Sequence, residues 1–371
     1  MFYSFNPVKL IHGEGALARI GYELPSSGNV LVIHGLTFSS YEDAFLSAIK
    51  TAHQDLRLSF LQLDEGEPTF SSVEHGAQTI DSRPDFILGF GGGRILDATK
   101  ALAVCIGNQL SVEQLPSIPP NQWQQTIPFG LICTKPGSGS EGNNAFVLME
   151  QDSFKKLSFF SIHSYPRFAV HDPILFSSLS SHDYRAGIAD VVSHIIDQYL
   201  VERTPSLIQD SMSLNYLRIA AELSLHAVAP SHQNFSDLAW LGSLSSSGIL
   251  SRGVKTSWLV HEVAHALASL NGTSHAISIA TVMGVVLSFN RHPLDRLVMV
   301  ARCLNVRPEQ EDLSREQAVS AITEFYRNLE LVNEPICNLI PQLAELKNQL
   351  QEYCPNLNPE EVNVLCKFLL K

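Results

Sequence analysis

The chain has 371 residues, of which 45% are hydrophobic and 17% charged, and its formal net charge is −12. That length accommodates two domains and a large core, and the composition is ordinary for a folded cytosolic protein. The acidic balance, with no basic block to offset it, argues against nucleic acid and anionic membranes as partners.

The opening "MFYSFNPVKLIHGEG" lacks a basic region followed by an apolar one, so it does not read as a signal peptide. The longest apolar stretch, near "AISIATVMGVVLSF", is broken by Ser, Thr and Gly and is too short to span a bilayer. A cytoplasmic location is therefore expected. The six cysteines (105, 133, 303, 337, 354 and 366) form no C-x-x-C pair, and we expect reduced thiols, mostly in the core.

In chain order, "NVLVIHG" (29–35) predicts a buried strand ending at Gly35, and "LRLSFLQLDEGEPT" (56–69) a strand running into a turn. "PDFILGFGGGR" (84–94) and "IPFGLICTKPGSGS" (127–140) each join an apolar strand to a glycine-rich turn, and "RFAVHDP" (167–173) closes the series. Amphipathic stretches such as "SSYEDAFLSAIKTAH" and "SSVEHGAQTIDS" lie between them. Strands alternating with helices imply a mostly parallel sheet covered on both faces. From about residue 177 the pattern becomes helical, starting with serines suited to cap "HDYRAGIADVVSHIIDQYLVE". The chain thus predicts an α/β dinucleotide-binding domain over 1–176 and an all-helical domain over 177–371.

Two glycine-rich turns stand where α/β sheets bind ligands, beyond the carboxyl ends of strands. In "GFGGGRILDATK", Gly91, Gly92 and Gly93 precede a helix carrying Asp97 and Lys100. Glycines there let the backbone approach a phosphate, and the helix N-terminus attracts the anion; the bland reading is a tight strand–helix turn. In "PGSGSEGNN", Gly137, Gly139 and Gly142 spell G-x-G-x-x-G. This match follows a late strand, and no acid lies about 20 residues on to hold a ribose, so it is not a dinucleotide fingerprint. It reads as a second loop facing the same ligand or as a flexible surface loop.

The helical half holds "GIADVVSHIID", in which Asp190 and His194 are four apart and share a helix face. Each alone reads as an early-helix acid and a packed imidazole. Downstream, "LVHEVAHALASLNGTSHA" places His261 and His265 on one face, with His275 ten residues further. One carboxylate with two or three imidazoles suits Fe, Zn, Mn or Ni as divalent ions. The literal H-E-x-x-H also spells a zinc peptidase with Glu262 as base. A metzincin needs its third His six residues after the second, and the first Glu after Glu262 is Glu309, which is remote for a ligand. The peptidase reading is therefore disfavoured.

Taken in order, "GGG…DATK", "TKPGSGSE", "VHDPILF", "GIADVVSHIID" and "VHEVAHALASLNGTSHA" resemble the iron-containing (group III) alcohol dehydrogenases, whose architecture is shared with dehydroquinate synthase. "KLIHGEGALARIG", "LDEGEPT" and "NPEEVNVLCKFLL" extend the resemblance over nearly the whole chain. It implies that Asp190, His194, His261 and His275 bind the metal, with iron the family's ion and Zn, Ni or Mn also compatible. It places His265 near nicotinamide and substrate, and Gly91, Gly92, Gly93, Asp97, Thr134, Ser138 and Lys156 along the dinucleotide. Four positions depart from the family pattern: Arg94 after the three glycines, Ala276 after the last ligand, Asp197 where Glu is usual, and Gly35 where an Asp is usual.

The implied activity is that of an NAD(P)-linked alcohol dehydrogenase or aldehyde reductase. Hydride passes between nicotinamide C4 and a metal-bound alkoxide or carbonyl, and His265 relays the hydroxyl proton. A small alcohol or aldehyde is the expected substrate and a homodimer the expected assembly. Without a carboxylate at Gly35 to accept from the ribose 2′-OH and repel a 2′-phosphate, NADP is favoured over NAD. The alternatives are a dehydroquinate-synthase-type lyase or cyclase, a silent metal-and-nucleotide binder, and the peptidase.

Overall fold

The computed structural model describes residues 1–52, 55–63, 66–152, 155–202, 204–304, 312–332 and 343–369. Cys337 lies outside the described residues; Cys105, Cys133, Cys303, Cys354 and Cys366 are buried free thiols.

The chain divides into two compact units. One comprises Phe5–Leu179 with Phe235–Ser247, the other Met1–Ser4, Ser180–Asn234 and Gly248–Lys371. A single cut at 176/177 would assign Phe235–Ser247 to the helical part, whereas these residues group with the sheet.

The sheet unit is built on β1 (Lys9–His12), β2 (Gly28–His34), β3 (Leu56–Gln62), β4 (Phe86–Gly91) and β5 (Phe129–Cys133). A hairpin follows, β6 (Ala145–Met149) and β7 (Lys156–Phe160), and then β8 (Phe168–His171). Six strands form one sheet in the order β1-β8-β5-β4-β2-β3, every neighbouring pair parallel. The sequence explains the order. β4, β5 and β8 are buried at every residue, as central strands covered on both faces must be, while β3 alternates and takes an edge. Helices α1 (Glu42–Ala52), α2 (Phe70–Gln78) and α3 (Gly93–Asn108) make the crossovers.

The antiparallel β6–β7 pair was not anticipated from sequence. Its signal is a short apolar run rather than an alternation, and it is held by aromatic packing that brings Phe146 and Phe159 to 5.1 Å between ring centroids.

The other unit is helical among its described residues. It contains α4 (Ser181–Tyr199), α5 (Leu207–Ser224), the start of α6 (His232–Ser246), α7 (Leu259–Asn271), α8 (His275–Ser288), α9 (Leu294–Leu304), α10 (Arg315–Asn328), α11 (Leu343–Tyr353) and α12 (Pro359–Leu369). Local chemistry sets the ends. Ser180 and Asp183 form a reciprocal capping box on α4, as do Ser314 and Gln317 on α10. No helix among the described residues is long and apolar enough to cross a membrane.

Candidate functional site

Three helices of the helical unit bring metal-type donors together. On α4, Asp190 and His194 lie one turn apart; α7 supplies His261, and His275 is the first residue of α8. Donor atoms of Asp190, His261 and His275 all lie within 4.8 Å of one another. Asp190 Oδ1 is buried without a hydrogen-bond partner, yet the Nε2 atoms of His194, His261 and His275 surround it at 3.6, 3.9 and 3.6 Å. These separations are too long for hydrogen bonds. They match the roughly 3.4 Å between donors that each bind one ion at about 2.1 Å in tetrahedral geometry. An orphaned carboxylate oxygen facing three imidazole nitrogens therefore fits a divalent cation.

A further carboxylate orients the cluster. Asp197 is buried and its Oδ2 lies 2.6 Å from His261 Nδ1. This bond places the Nδ1 proton toward Asp197 and leaves Nε2 to face Asp190, the carboxylate–imidazole arrangement that second partners of metal ligands adopt. Sequence reasoning registered Asp197 only as a departure from the family; its spacing from Asp190 and His194, seven and three residues, was the available signal.

Burial and neighbouring charge pull the groups of this cluster in opposing directions. Burial works against the charged form of Asp190, but the surrounding imidazoles hold its carboxyl well below the usual range. Burial brings His194 down to about 4 against the pull of Asp190. For His261, burial is outweighed by the Asp190 and Asp197 carboxylates, which push it up to about 9.

His265 stands beside this set, its ring 4.9 Å from that of His275 and 6.4 Å from that of His261. Glu262, the acid of the H-E-x-x-H spelling, is raised to about 7 by burial and by Asp197. It also helps to raise the buried Cys354 thiol.

In the sheet unit the glycine turns meet at the carboxyl ends of β4 and β5. Gly92 caps α3 with extended backbone, and Thr134 N–H donates to Gly91 O at 3.0 Å. A Cβ on Gly91 would lie 2.6 Å from Ile95, and one on Gly93 2.8 Å from Ser138 Oγ. The turn and the second loop thus approach more closely than any larger residue allows. Gly35 directly follows β2, the strand beside β4.

Asp97 and Lys100 face inward. Asp97 accepts from Ser140 Oγ at 2.6 Å and Val147 N–H at 2.9 Å, and burial raises it to about 6. Lys100, fully buried, donates to Ser140 O, Ser140 Oγ, Asn143 Oδ1 and Ala145 O, and burial lowers it to about 8. Both brace the loop after β5. Lys156 on β7 pairs with Glu67 at 3.1 Å, and Glu67 also meets Arg94 at 3.5 Å. This connection across three segments was not legible in the sequence.

A second group of donors, Cys133, Glu141 and His171, is wholly buried. Strand register puts His12 and His171 side by side on β1 and β8. Glu141 Oε1 lies 2.9 Å from His171 Nε2 and accepts from Ser243 Oγ at 2.6 Å; the two rings approach at 3.3 Å between Nδ1 atoms. Burial opposes ionisation of Glu141, but His171 and Ser243 hold it below its ordinary value.

A glycine-turned parallel sheet and a carboxylate–imidazole cluster in one chain are parts that a metal- and nicotinamide-dependent oxidoreductase requires. The family described as iron-containing alcohol dehydrogenase matches residues 7–173, and the Fe-containing alcohol dehydrogenase family, C-terminal, matches residues 185–363. The chain belongs to the iron-containing alcohol dehydrogenase family.

The chain is 25% identical over 338 residues to the NADPH-dependent aldehyde reductase YqhD of Escherichia coli (strain K12), covering 88% of this chain and 86% of that protein. It is 27% identical over 287 residues to the probable NADH-dependent butanol dehydrogenase 1 of Bacillus subtilis (strain 168), covering 75% and 73%. Among solved structures, NADH-dependent butanol dehydrogenase A from Thermotoga maritima shares the fold with a TM-score of 0.86 at 20% identity, over 100% of this chain and 99% of that one.

Proposed function

We propose that the chain reduces small aldehydes, or oxidises the matching alcohols, with NAD(P) and a divalent metal held by Asp190, His194, His261 and His275. The observation that carries this reading is the orphaned Asp190 Oδ1 facing three Nε2 atoms at 3.6–3.9 Å. Iron is the first expectation, and the donor set also suits Zn, Ni or Mn. When bound, the metal supplies Lewis-acid polarisation of the substrate oxygen and the dinucleotide supplies the hydride acceptor or donor.

The chain's own groups do the rest. Asp197 fixes the His261 tautomer. His265, whose ring lies 4.9 Å from that of His275, holds and passes the hydroxyl proton. Gly91, Gly92 and Gly93 at the α3 N-terminus are our candidates for meeting a phosphate, with Thr134 and Ser138 on the adjoining loop and Lys156 on β7 as further contacts. Asp97 acts from behind, by bracing that loop through Ser140. No feature favours the lyase, the silent binder or the peptidase.

NADP is our choice over NAD, and the relatives' names, one NADPH-dependent and one NADH-dependent, do not decide it. The support is Gly35, which offers no carboxylate to a ribose. Its φ is −98°, and a Cβ there would meet only Ile95 at 3.6 Å, so Gly35→Asp is sterically tolerated. A cytoplasmic homodimer completes the reading, and sedimentation equilibrium checks the dimer.

The deciding experiment measures kcat/KM for NADPH and NADH with one aldehyde, before and after chelation. Activity lost on chelation and restored by Fe²⁺ supports the metal reading, and activity indifferent to chelation refutes it. A preference for NADH above about tenfold (~1.4 kcal/mol) overturns the NADP assignment. Gly35→Asp should move the ratio toward NADH; an unmoved ratio means residue 35 does not face the ribose.

A further inference from the structure

We propose that Trp258 is a specificity-determining wall of the metal centre, its indole being the surface on which the carbon chain of the substrate packs. The proposal rests on the metal reading above and adds to it the residue that selects the organic group.

The local sequence "KTSWLVHEV" offers Thr256 and Ser257, residue types that cap helices well. The chain uses neither at the start of α7. Trp258 takes the cap position, its carbonyl accepts the Glu262 N–H at 2.9 Å, and its side chain caps nothing. Its backbone is left-handed, at φ 54° and ψ 17°, a conformation rare for a bulky residue and retained where surrounding structure enforces it. The other described non-glycine residues with positive φ, Gln109 and Glu330, stand at the carboxyl ends of α3 and α10. There a left-handed residue closes the last turn. Trp258 stands at a helix start, where helix geometry gives no such reason.

The backbone conformation places the ring. The indole meets His261 nearly edge to face, with centroids 5.2 Å apart and planes at 76°, and His194 at 6.0 Å and 71°. It therefore borders two of the imidazoles whose Nε2 atoms face Asp190. Trp258 is partly exposed, so its ring is not wholly covered by the protein. Carboxylate and imidazole can bind an ion and a polar oxygen, but they offer little to a hydrocarbon chain. The indole offers a broad apolar face to the carbon atoms beyond the reacting one, and hydrophobic pockets discriminate single methylenes by about tenfold or more. Unbranched aldehydes of several carbons are the chemistry this wall favours over two-carbon ones.

The test joins binding to kinetics. Calorimetric titration with Ni²⁺ measures metal binding, while tryptophan emission reports contact with the ion. The chain's other tryptophans are Trp123 and Trp240, so the diagnostic signal is the saturable quenching component lost in Trp258→Phe while the calorimetric stoichiometry stays at one. In the iron-loaded enzyme, Trp258→Ala should lower the butanal-to-acetaldehyde ratio of kcat/KM by about tenfold, and Trp258→Phe should restore most of it. Trp258→Gly removes the ring and accepts the left-handed backbone without strain. It should reproduce the loss even where the alanine variant folds poorly. Equal losses for both aldehydes, or an unchanged ratio with full metal content, overturn the proposal. An absence of Ni²⁺ binding in the wild-type protein refutes the underlying metal reading instead.

Discussion

The loop after β5 in the sheet unit and the Asp190 cluster in the helical unit use buried polar side chains in opposite ways. Around that loop, Asp97 and Lys100 bond to protein partners at 2.5–3.1 Å. In the helical unit, Asp190 Oδ1 has no such partner and three imidazole nitrogens stand 3.6–3.9 Å from it. A satisfied network fixes a loop; an incomplete one is a receptor, since an unmet buried oxygen costs about 1–3 kcal/mol that a ligand can recover. On the function proposed above, the helical unit would hold its ligand through side chains and the sheet unit through backbone brought close by glycine.

Breaking the receptor should have the largest effect. Asp190→Ala should remove the ion and lower kcat/KM by about 10³-fold or more, the several kcal/mol that a Lewis acid supplies. Metal analysis and aldehyde turnover check this, and a variant that keeps a stoichiometric ion would end the assignment. His265→Ala should keep the ion and lose about 10²-fold in kcat, the lower range for a proton-transferring group. Loss of the metal in that variant would make His265 a ligand.

The comparison also predicts a pH dependence. His261 is raised to about 9, so it is protonated in the metal-free protein at pH 7 and must lose that proton to bind. Metal affinity should therefore rise about tenfold per pH unit between roughly 7 and 9 and level off above. Calorimetry in buffers of different ionisation enthalpy should show about one proton released per ion. A flat profile would show that Asp197 does not hold His261 charged.

In the sheet unit the expected effect is smaller and structural. Gly139 has φ 63°, and a Cβ there would fall 2.2 Å from Gly242 O. Gly139→Ala should lower stability by about 1–3 kcal/mol in denaturant titration while leaving metal content intact. Loss of metal in that variant would erase the distinction between the units.

What was legible in the sequence was what is local. Helical spacing groups Asp190 with His194 and His261 with His265, and strand–glycine–helix junctions mark the turns, because these features need only one element's geometry. The same logic, applied three residues further, would have found Asp197. The inward use of Asp97 and Lys100 was hidden, because it depends on where the loop after β5 folds back. The His12–His171–Glu141 contacts were hidden too, since strand register joins His12 to His171 across 159 positions and the loop after β5 must fold back to bring Glu141 to His171. The backbone conformation of Trp258 has no sequence signature, because nothing in "TSWL" favours a left-handed tryptophan.

The grouping of Phe235–Ser247 with the sheet bears on modularity. The chain leaves the sheet unit after Leu179, returns for thirteen residues, and leaves again. Ser243 donates to Glu141 Oε1, Ser236 reaches His12 at 3.2 Å, and Gly242 lies against Gly139. A fragment ending at Leu179 would leave the buried Glu141 without one of its donors and uncover the face of the glycine loop. The sheet unit is thus not transplantable as a contiguous cassette. Any exchange of its nucleotide site between relatives must carry the remote segment along, and a circular permutant that joined the two stretches would be the minimal portable form.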